Sequence, residues 1–402
     1  MKNTVFSSGD ILLPDFANHD PAWEKWSVIA CDQFTSQADY WAKAEAMTEN
    51  ALSTLSLILP EAYLETEKEA LHKEVIEAAM KNIPAALTCH KDSMIFVERT
   101  LSDGSMRRGI VGKIDIDRYE FDGRKKGTVS ATEETVLSRI PPRVAIRREA
   151  DIELPHVMVF YDDIENKIMN YLEGVKGDAE VIYDFTLMLG GGHIKGYKLE
   201  GELLSGLIDL IAEYEAAKGD AAYAVGDGNH SLAAAKTYYE ELKAELGAAS
   251  EDHPARYALC EMVNIHEPSI VFEPIYRLLK NVVAEAFAAS LPQSGRAMAA
   301  YFGEAEKTVY VPETHPLDVG CLQIYVDAYI KAHPEVDCDY IHGEDALRQL
   351  AKAENCIGFI CNGIEKEKLL SYVAANGSLP RKTFSMGEAT TKRYYNEARK
   401  IK

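Results

Sequence analysis

The stretch YAVGDGNHSLAAAK, Tyr223 to Lys236, joins a short apolar run to an alanine-rich helix with only Gly226, Asp227, Gly228, Asn229 and His230 between them. A chain that passes from strand to helix without a linker commits that region to an α/β arrangement, because the strand needs pairing neighbours and the helix must cover the sheet they form. The seam also leaves the first backbone N–H groups of the helix unpaired and aimed at one point, where the aligned peptide dipoles favour negative charge. Gly226 and Gly228 let an anion approach the main chain. Asp227 is placed to hold a magnesium ion through water, and His230 to donate to a phosphate oxygen or move a proton. The same residues equally suit a plain turn with Asn229 or Ser231 as N-cap and a packed His230.

The surrounding pattern is consistent with a mixed α/β chain. From Asp20 to Leu87 apolar residues return every three or four positions, in PAWEKWS, QADYWAKAEAMTENALSTLS and ETEKEALHKEVIEAAMKNI, with the short apolar run SVIACDQF between. The period then changes to two. SMIFVERTL and DGSMRRGIVGKIDI read as strands joined at Asp103-Gly104. HVMVFYDD and AEVIYDFTLML are further strands, GELLSGLIDLIAEYEAAKG is an amphipathic helix with a glycine stop, and ARYALCEMVNIHEPSIVFEPIYRLL is strand-like throughout. In TVLSRIPPRVAIRREA, Pro141-Pro142 is expected to break a helix beginning near Thr132. These signals divide the chain into residues 1–130, helical with a β-hairpin and part of the core; 131–280, the α/β core with the GDGNH seam; and 281–402, a separate C-terminal α/β unit. No repeat or low-complexity linker separates them.

Forty-three basic residues against 64 acidic ones give a formal charge of −21, which opposes binding to nucleic acid or anionic lipid. The seven cysteines lack CxxC spacing, so neither a disulfide framework nor a zinc ribbon is written here. No signal peptide and no long apolar run is visible, and a cytoplasmic protein is expected. Walker, dinucleotide, HExxH and GxSxG patterns are all missing.

Four further groups are candidates. His193 and Lys195 sit in the flexible GGGHIKG bend, which suits a substrate wrap or a plain loop. Arg139, Arg143, Arg147 and Arg148 are spaced to meet phosphate or carboxylate, or to serve as salt-bridge partners in an acidic chain. His266 and Glu267 lie near the seam if their strand neighbours the Tyr223 strand. Asp32, after the apolar run of IACDQF, is a candidate acid or metal ligand, with a turn cap as the plain alternative. The terminal segment from Leu379 is basic, with Arg381, Lys382, Lys392, Arg393, Arg399, Lys400 and Lys402.

In their shared order, IACDQFTSQADYW, HVMVFYDD, YAVGDGNHSLAAAK and VNIHEPSIVFEPIYR resemble the bacterial and archaeal domain-of-unknown-function family 1015 over nearly the whole chain. That resemblance implies a ParB/sulfiredoxin-like nucleotide-binding core, with free-serine kinases among its relatives, and added helical and C-terminal α/β units. It implies a nucleotide (ATP, ADP or CTP) whose phosphates sit at Gly226 to His230, with Mg2+ as companion. Two departures matter: Asn229 stands where the family has its first His, and Ser231 where it has an Arg. A replacement cation must then come from Lys236, from the Arg139 to Arg148 group, or from magnesium. The family's later His-Arg pair reads Tyr276-Arg277.

The implied activity is phosphoryl transfer to a small hydroxylated metabolite such as an amino acid, with Asp227, His230 and Asp32 in catalytic roles. Gly226, Gly228, Asn229, Ser231, His193, Lys195, Arg139, Arg143, Arg147 and His266 would bind phosphate or substrate, and Asp227 metal. The alternative is a nucleotide- or ligand-sensing regulatory protein without chemistry. A homodimer is compatible with either reading; direct nucleic-acid binding is not expected.

Overall fold

Pairing across the first part of the chain runs much further than the hairpin that signals it. The computed structural model describes residues 3–123 and 127–402; Arg124, Lys125 and Lys126 of the basic GRKKG stretch lie outside the described residues. Eleven strands build the main sheet: β1 (Phe6–Ser7), β2 (Gly9–Pro14), β3 (Leu87–Thr100), β4 (Met106–Asp115), β5 (Tyr119–Glu120), β6 (Val129–Ala131), β7 (Met158–Tyr161), β8 (Glu180–Thr186), β9 (His193–Leu199), β10 (Tyr223–Asp227) and β11 (Tyr257–Asn264). Their order is β8-β9-β3-β4-β11-β7-β10-β6-β5, with β1 on β4 and β2 on β3. The sheet is mixed. β10 runs parallel to β6 and antiparallel to β7, while β11 runs parallel to β7.

The helices α1 (Ala38–Thr48), α2 (Glu67–Asn82), α3 (Ile140–Glu149), α4 (Lys167–Val175), α5 (Gly201–Lys218) and α6 (Asn229–Leu246) accompany this sheet. Strands with apolar residues at both parities need cover on both faces. On one face Phe96, Ile110, Val159 and Val225 pack with Val144, Leu172, Leu207 and Leu232 of α3 to α6. On the other, Ile95, Val97, Val111 and Leu259 meet Trp23, Trp26, Trp41, Tyr394, Tyr395 and Ala398. Pro141 and Pro142 open α3 rather than break a helix, since a first-turn proline gives up an N–H that has no intrahelical partner anyway.

The expected single run from Ala255 to Leu279 is two strands. β11 ends at Asn264, a pair of tight turns follows (Glu267 N to Asn264 O, Ile270 N to Glu267 O, both 3.0 Å), and the next strand belongs to a second unit. The two units consist of residues through Ile270 with Leu370–Gly377 and Glu388–Lys402, and of Val271–Leu369 with Ser378–Gly387. In the second, β12 (Phe272–Lys280), β13 (Arg296–Phe302), β14 (Ala305–Val311), β15 (Asp337–His342) and β16 (Cys356–Phe359) form an antiparallel sheet of order β14-β13-β16-β12-β15, and β17 (Phe384–Met386) pairs with β12. Arg277 is fully buried there and spends its guanidinium on Gln323 and on the carbonyls of Ile275, Arg381 and Lys382, a structural role. No described helix is long and apolar enough to cross a membrane.

From Glu388 onward the basic terminal segment belongs to the first unit. Tyr394–Tyr395 pairs with Val28–Ile29, Arg399–Lys400 with Ile152–Glu153, and Ala398 bridges Leu12, all in the first unit. Its arginines are buried in ion pairs: Arg393 Nε donates to Glu261 at 2.9 Å and its Nη2 to Glu397 at 2.6 Å, with Nη1 on the Pro155 carbonyl. Arg399 Nε donates to Glu153 at 2.8 Å. Replacing Arg393 by Met leaves Glu397 buried without its cation and takes from Glu261 its hydrogen-bonded one. It should cost the first unit about 3–5 kcal/mol in urea unfolding followed by tryptophan fluorescence; a loss under about 1 kcal/mol would show the pair to be dispensable.

Candidate functional site

β10 turns directly into α6, as the alternation and the alanine run require. Gly228 is the N-cap, in left-handed backbone (φ +82°, ψ 24°), so it offers the first N–H groups of the helix no side chain. Asn229 and Ser231, the expected caps, instead occupy the first helical turn. A Cβ on Gly226 would come within 2.3 Å of the Phe160 ring, and one on Gly228 within 3.0 Å of Val157, so both glycines are dictated by close approach. Gly228 N is bonded by Asp227 Oδ1 at 2.9 Å, turning the other carboxylate oxygen away.

That oxygen, Oδ2, accepts from Lys392 Nζ at 3.2 Å; both side chains are 19% exposed. Lys392 comes from the terminal segment. It also lies close enough to Asp32 to favour the ionised carboxylate. Burial pushes the Asp32 carboxyl up, but His156, the Gln33 amide at 3.0 Å and Lys392 outweigh it, and the group titrates below its ordinary value. Lys392 is thus ion-paired with Asp227, while Asp32 feels its charge without forming an ion pair with it. His156 is itself buried, with Nδ1 at 3.0 Å from the Tyr395 hydroxyl, which donates to Cys31 Sγ at 3.1 Å. Burial, aided by Asp32, pushes the Cys31 thiol up to about 12, which keeps it protonated and a poor nucleophile.

The far side of the seam is tied to the segment after β6. His230 Nε2 accepts from Val136 N at 3.2 Å, Thr132 Oγ1 donates to Val225 O at 2.7 Å, and Asn229 Nδ2 reaches Thr132 Oγ1 at 3.5 Å. Asn229 Oδ1 is buried without a hydrogen-bond partner among the described residues. His230 therefore faces a backbone donor at the seam and is not merely packed. Among the described residues no three His, Cys, Asp or Glu side chains converge as a metal set.

The other candidates lie elsewhere. His193 and Lys195 both contact Asp184, at 2.9 and 3.2 Å, on the β8–β9 edge. Five strand steps of about 4.8 Å separate β9 from β10, so these side chains do not reach the seam. His266 pairs with Asp162 at 2.7 Å. Its strand does not neighbour β10: β7 stands between them, and Asp227 is in register with Met158, so Asp162 lies toward the opposite end of the sheet. Glu267 pairs with Arg108.

Arg143, Arg147 and Arg148 are held by Glu61, Glu153 and Glu241 at 2.6, 2.6 and 2.7 Å, and Arg139 is exposed at the start of α3. Lys236 is spent on Asp117 and Glu240. The cation at the seam is Lys392, which no spacing in the sequence connects to Asp227. His156 was equally unmarked; only the basic tint of the terminal segment hinted at Lys392.

The fold and the seam define a mixed α/β protein whose first unit turns a strand straight into a helix beside an Asp227–Lys392 ion pair. The chain belongs to the family described as Protein of unknown function (DUF1015), whose model matches residues 13–355. Solved structures similar to it include a free serine kinase in complex with AMP (13% identity, 72% of this chain and 91% of that one, TM-score 0.39). Others are SbnI with C-terminal truncation from Staphylococcus aureus (11%, 71% and 85%, 0.37) and a conserved hypothetical protein from Pyrococcus furiosus (12%, 71% and 93%, 0.34). No curated protein matches the chain.

Because Lys392 favours the ionised form of Asp32, Lys392→Met should raise the Asp32 carboxyl pKa, while Lys236→Met leaves it in place. Carboxyl 13C shifts of the two variants followed against pH read this directly; equal Asp32 titrations would remove Lys392 from the site.

Proposed function

We propose that the first unit binds the phosphates of a nucleotide at the N-terminus of α6 and transfers a phosphoryl group to a small hydroxyl-bearing metabolite, an amino acid being one such acceptor. The observation that carries this reading is the Asp227–Lys392 ion pair beside a helix start that has no capping side chain, with the ionised Asp32 within the influence of the same lysine. Phosphoryl transfer asks a protein for positioning and charge stabilisation rather than covalent chemistry. In this scheme the first N–H groups of α6 and Lys392 take the negative phosphate oxygens, so Lys392 does the work of the arginine that Ser231 replaces. Asp227 holds Lys392 in place. Asp32, ionised at neutral pH, orients the acceptor hydroxyl and receives its proton as that oxygen bonds to the terminal phosphorus and the phosphoanhydride bond breaks, the nucleotide leaving one phosphate shorter. With its Nε2 accepting from Val136 N, His230 would donate to the transferring group through Nδ1–H.

Magnesium fits this donor set in part. Two carboxylates of the right hardness are present, and the ion completes its shell from phosphate and water, as Mg2+ commonly does. It would supply further charge neutralisation on the phosphates. The second reading, a nucleotide sensor without chemistry, is favoured by one observation: an oxygen of Asp227 is already taken by Lys392, and no third acid stands with it among the described residues.

Thermal unfolding with ATP, ADP, CTP and GTP, with and without magnesium, tests both readings, because a ligand bound only to the folded state raises its stability by mass action. A nucleotide at about 100 times its Kd should add about 2.7 kcal/mol to the wild type, and far less to Asp227→Ala, Lys392→Ala and His230→Ala. Magnesium-dependent turnover of a hydroxyl acceptor then marks transfer. Binding without product marks sensing, and no stabilisation by any nucleotide sinks both.

A further inference from the structure

Arg107, on β4, stands on the sheet face covered by the terminal segment and is 4% exposed. Its Nη1 donates to the Thr391 carbonyl at 2.9 Å, next to Lys392. Its Nε and Nη2, which together form the forked edge of the guanidinium, have no hydrogen-bond partner, and the nearest carboxylate oxygen, on Glu261, is 4.0 Å from Nε, beyond hydrogen-bond reach. The neighbouring residue shows what that edge does when matched: Arg108 grips Glu267 through Nε at 3.1 Å and Nη2 at 2.6 Å.

Arg99, directly across on β3, is in the same position electrostatically. It is 2% exposed, donates only to the carbonyls of Gly191, Thr390, Thr391 and Lys392, and has an unpartnered Nε. The buried carboxylates beside them, Glu261 and Glu397, are both hydrogen-bonded to Arg393 instead. Glu261 and Asp227 offset part of the charge on Arg107, and Glu261 part of that on Arg99, but the N–H groups of the Arg107 fork stay unmatched, which a visiting anion would remedy. Burial and Arg107 together press the Arg99 pKa down to about 9, the expected sign of that crowding. A planar fork with parallel N–H groups matches carboxylate or phosphate oxygens and little else.

We infer that the forked edge of Arg107 is a receptor for an oxyanion of the ligand, reached when the Thr390–Lys392 backbone lifts from Arg99 and Arg107. The inference rests on the proposed phosphotransfer site in that Lys392, on the same strap, reaches Asp227 at the seam. The oxyanion has two sources there: a nucleotide phosphate, or the carboxylate of an amino-acid acceptor.

Arg107→Lys keeps the charge and loses the fork. Calorimetric titration of the full chain with ADP, inorganic phosphate, L-serine and L-serinamide separates the sources. Weakening of ADP and phosphate by about tenfold or more, with L-serine unchanged, assigns the fork to phosphate. The same loss confined to L-serine, with L-serinamide binding neither protein well, assigns it to the acceptor carboxylate. If the wild type ignores ADP yet loses phosphate or L-serine binding on substitution, the fork stands and the nucleotide reading falls. Unchanged affinities in a folded Arg107→Lys protein, or no oxyanion bound by the wild type, overturn the inference and leave the fork to a buried water. Should the variant not fold, the Arg107 Nε–H resonance of the wild type gives the answer: saturating phosphate or L-serine must shift it, and an unmoved resonance overturns the inference.

Discussion

The ion pairs of Arg393 with Glu261 and Glu397 hold the terminal segment against the main sheet, and the candidate site exists only because that segment is there. A single charge of this kind cannot be left alone in an interior; each needs its partner and its remaining hydrogen bonds satisfied. Glu397 meets that demand twice, from Arg393 and from the Tyr183 hydroxyl at 2.6 Å, and Arg399 repeats the pattern on Glu153. These anchors fix the backbone on the C-terminal side of Lys392, so that a long, flexible ammonium group is delivered to Asp227 from a chain position 165 residues away.

What results is a site made at a strand-to-helix turn but completed by two segments remote from it. The turn supplies backbone N–H groups and the helix dipole. The loop after Val28–Ile29 supplies Asp32, and the terminal segment supplies Lys392 and, through Tyr395, steadies His156. Because Tyr394–Tyr395 pairs with Val28–Ile29, the two remote contributions are themselves one small ladder, and their relative position does not depend on the seam. The positive charge beside Asp227 comes from the chain end, through Lys392, which makes this pairing dependent on the correct docking of that segment.

Much of this was legible in the residues. The Asp103-Gly104 hairpin, the helix with its glycine stop at Gly219 and the strand-to-helix seam follow from local rules: turn chemistry, a period of two and a period near 3.6. Asp32 and Asp227 were visible as acids at strand ends. His193, Lys195 and His266 were read from loop composition, which says nothing about which edge of a sheet a loop serves. Strand order decides that, and it places β9 five strands from β10 and β7 between β10 and β11. The arginines near α3 carried a signal of charge alone, and in a chain with a surplus of acid most of them met carboxylates.

By itself the sequence determined the elements, the glycines that a crowded turn demands at Gly226 and Gly228, the family, and the anion-favouring start of α6, because each depends on neighbours a few residues apart. Only the tertiary structure decided that Lys392 and not Lys236 stands beside Asp227, that His156 and Lys392 act on Asp32, and that Arg107 keeps an empty fork. Those facts depend on a sheet of mixed direction and on buried charge pairs that close over long chain separations, and no local period records either.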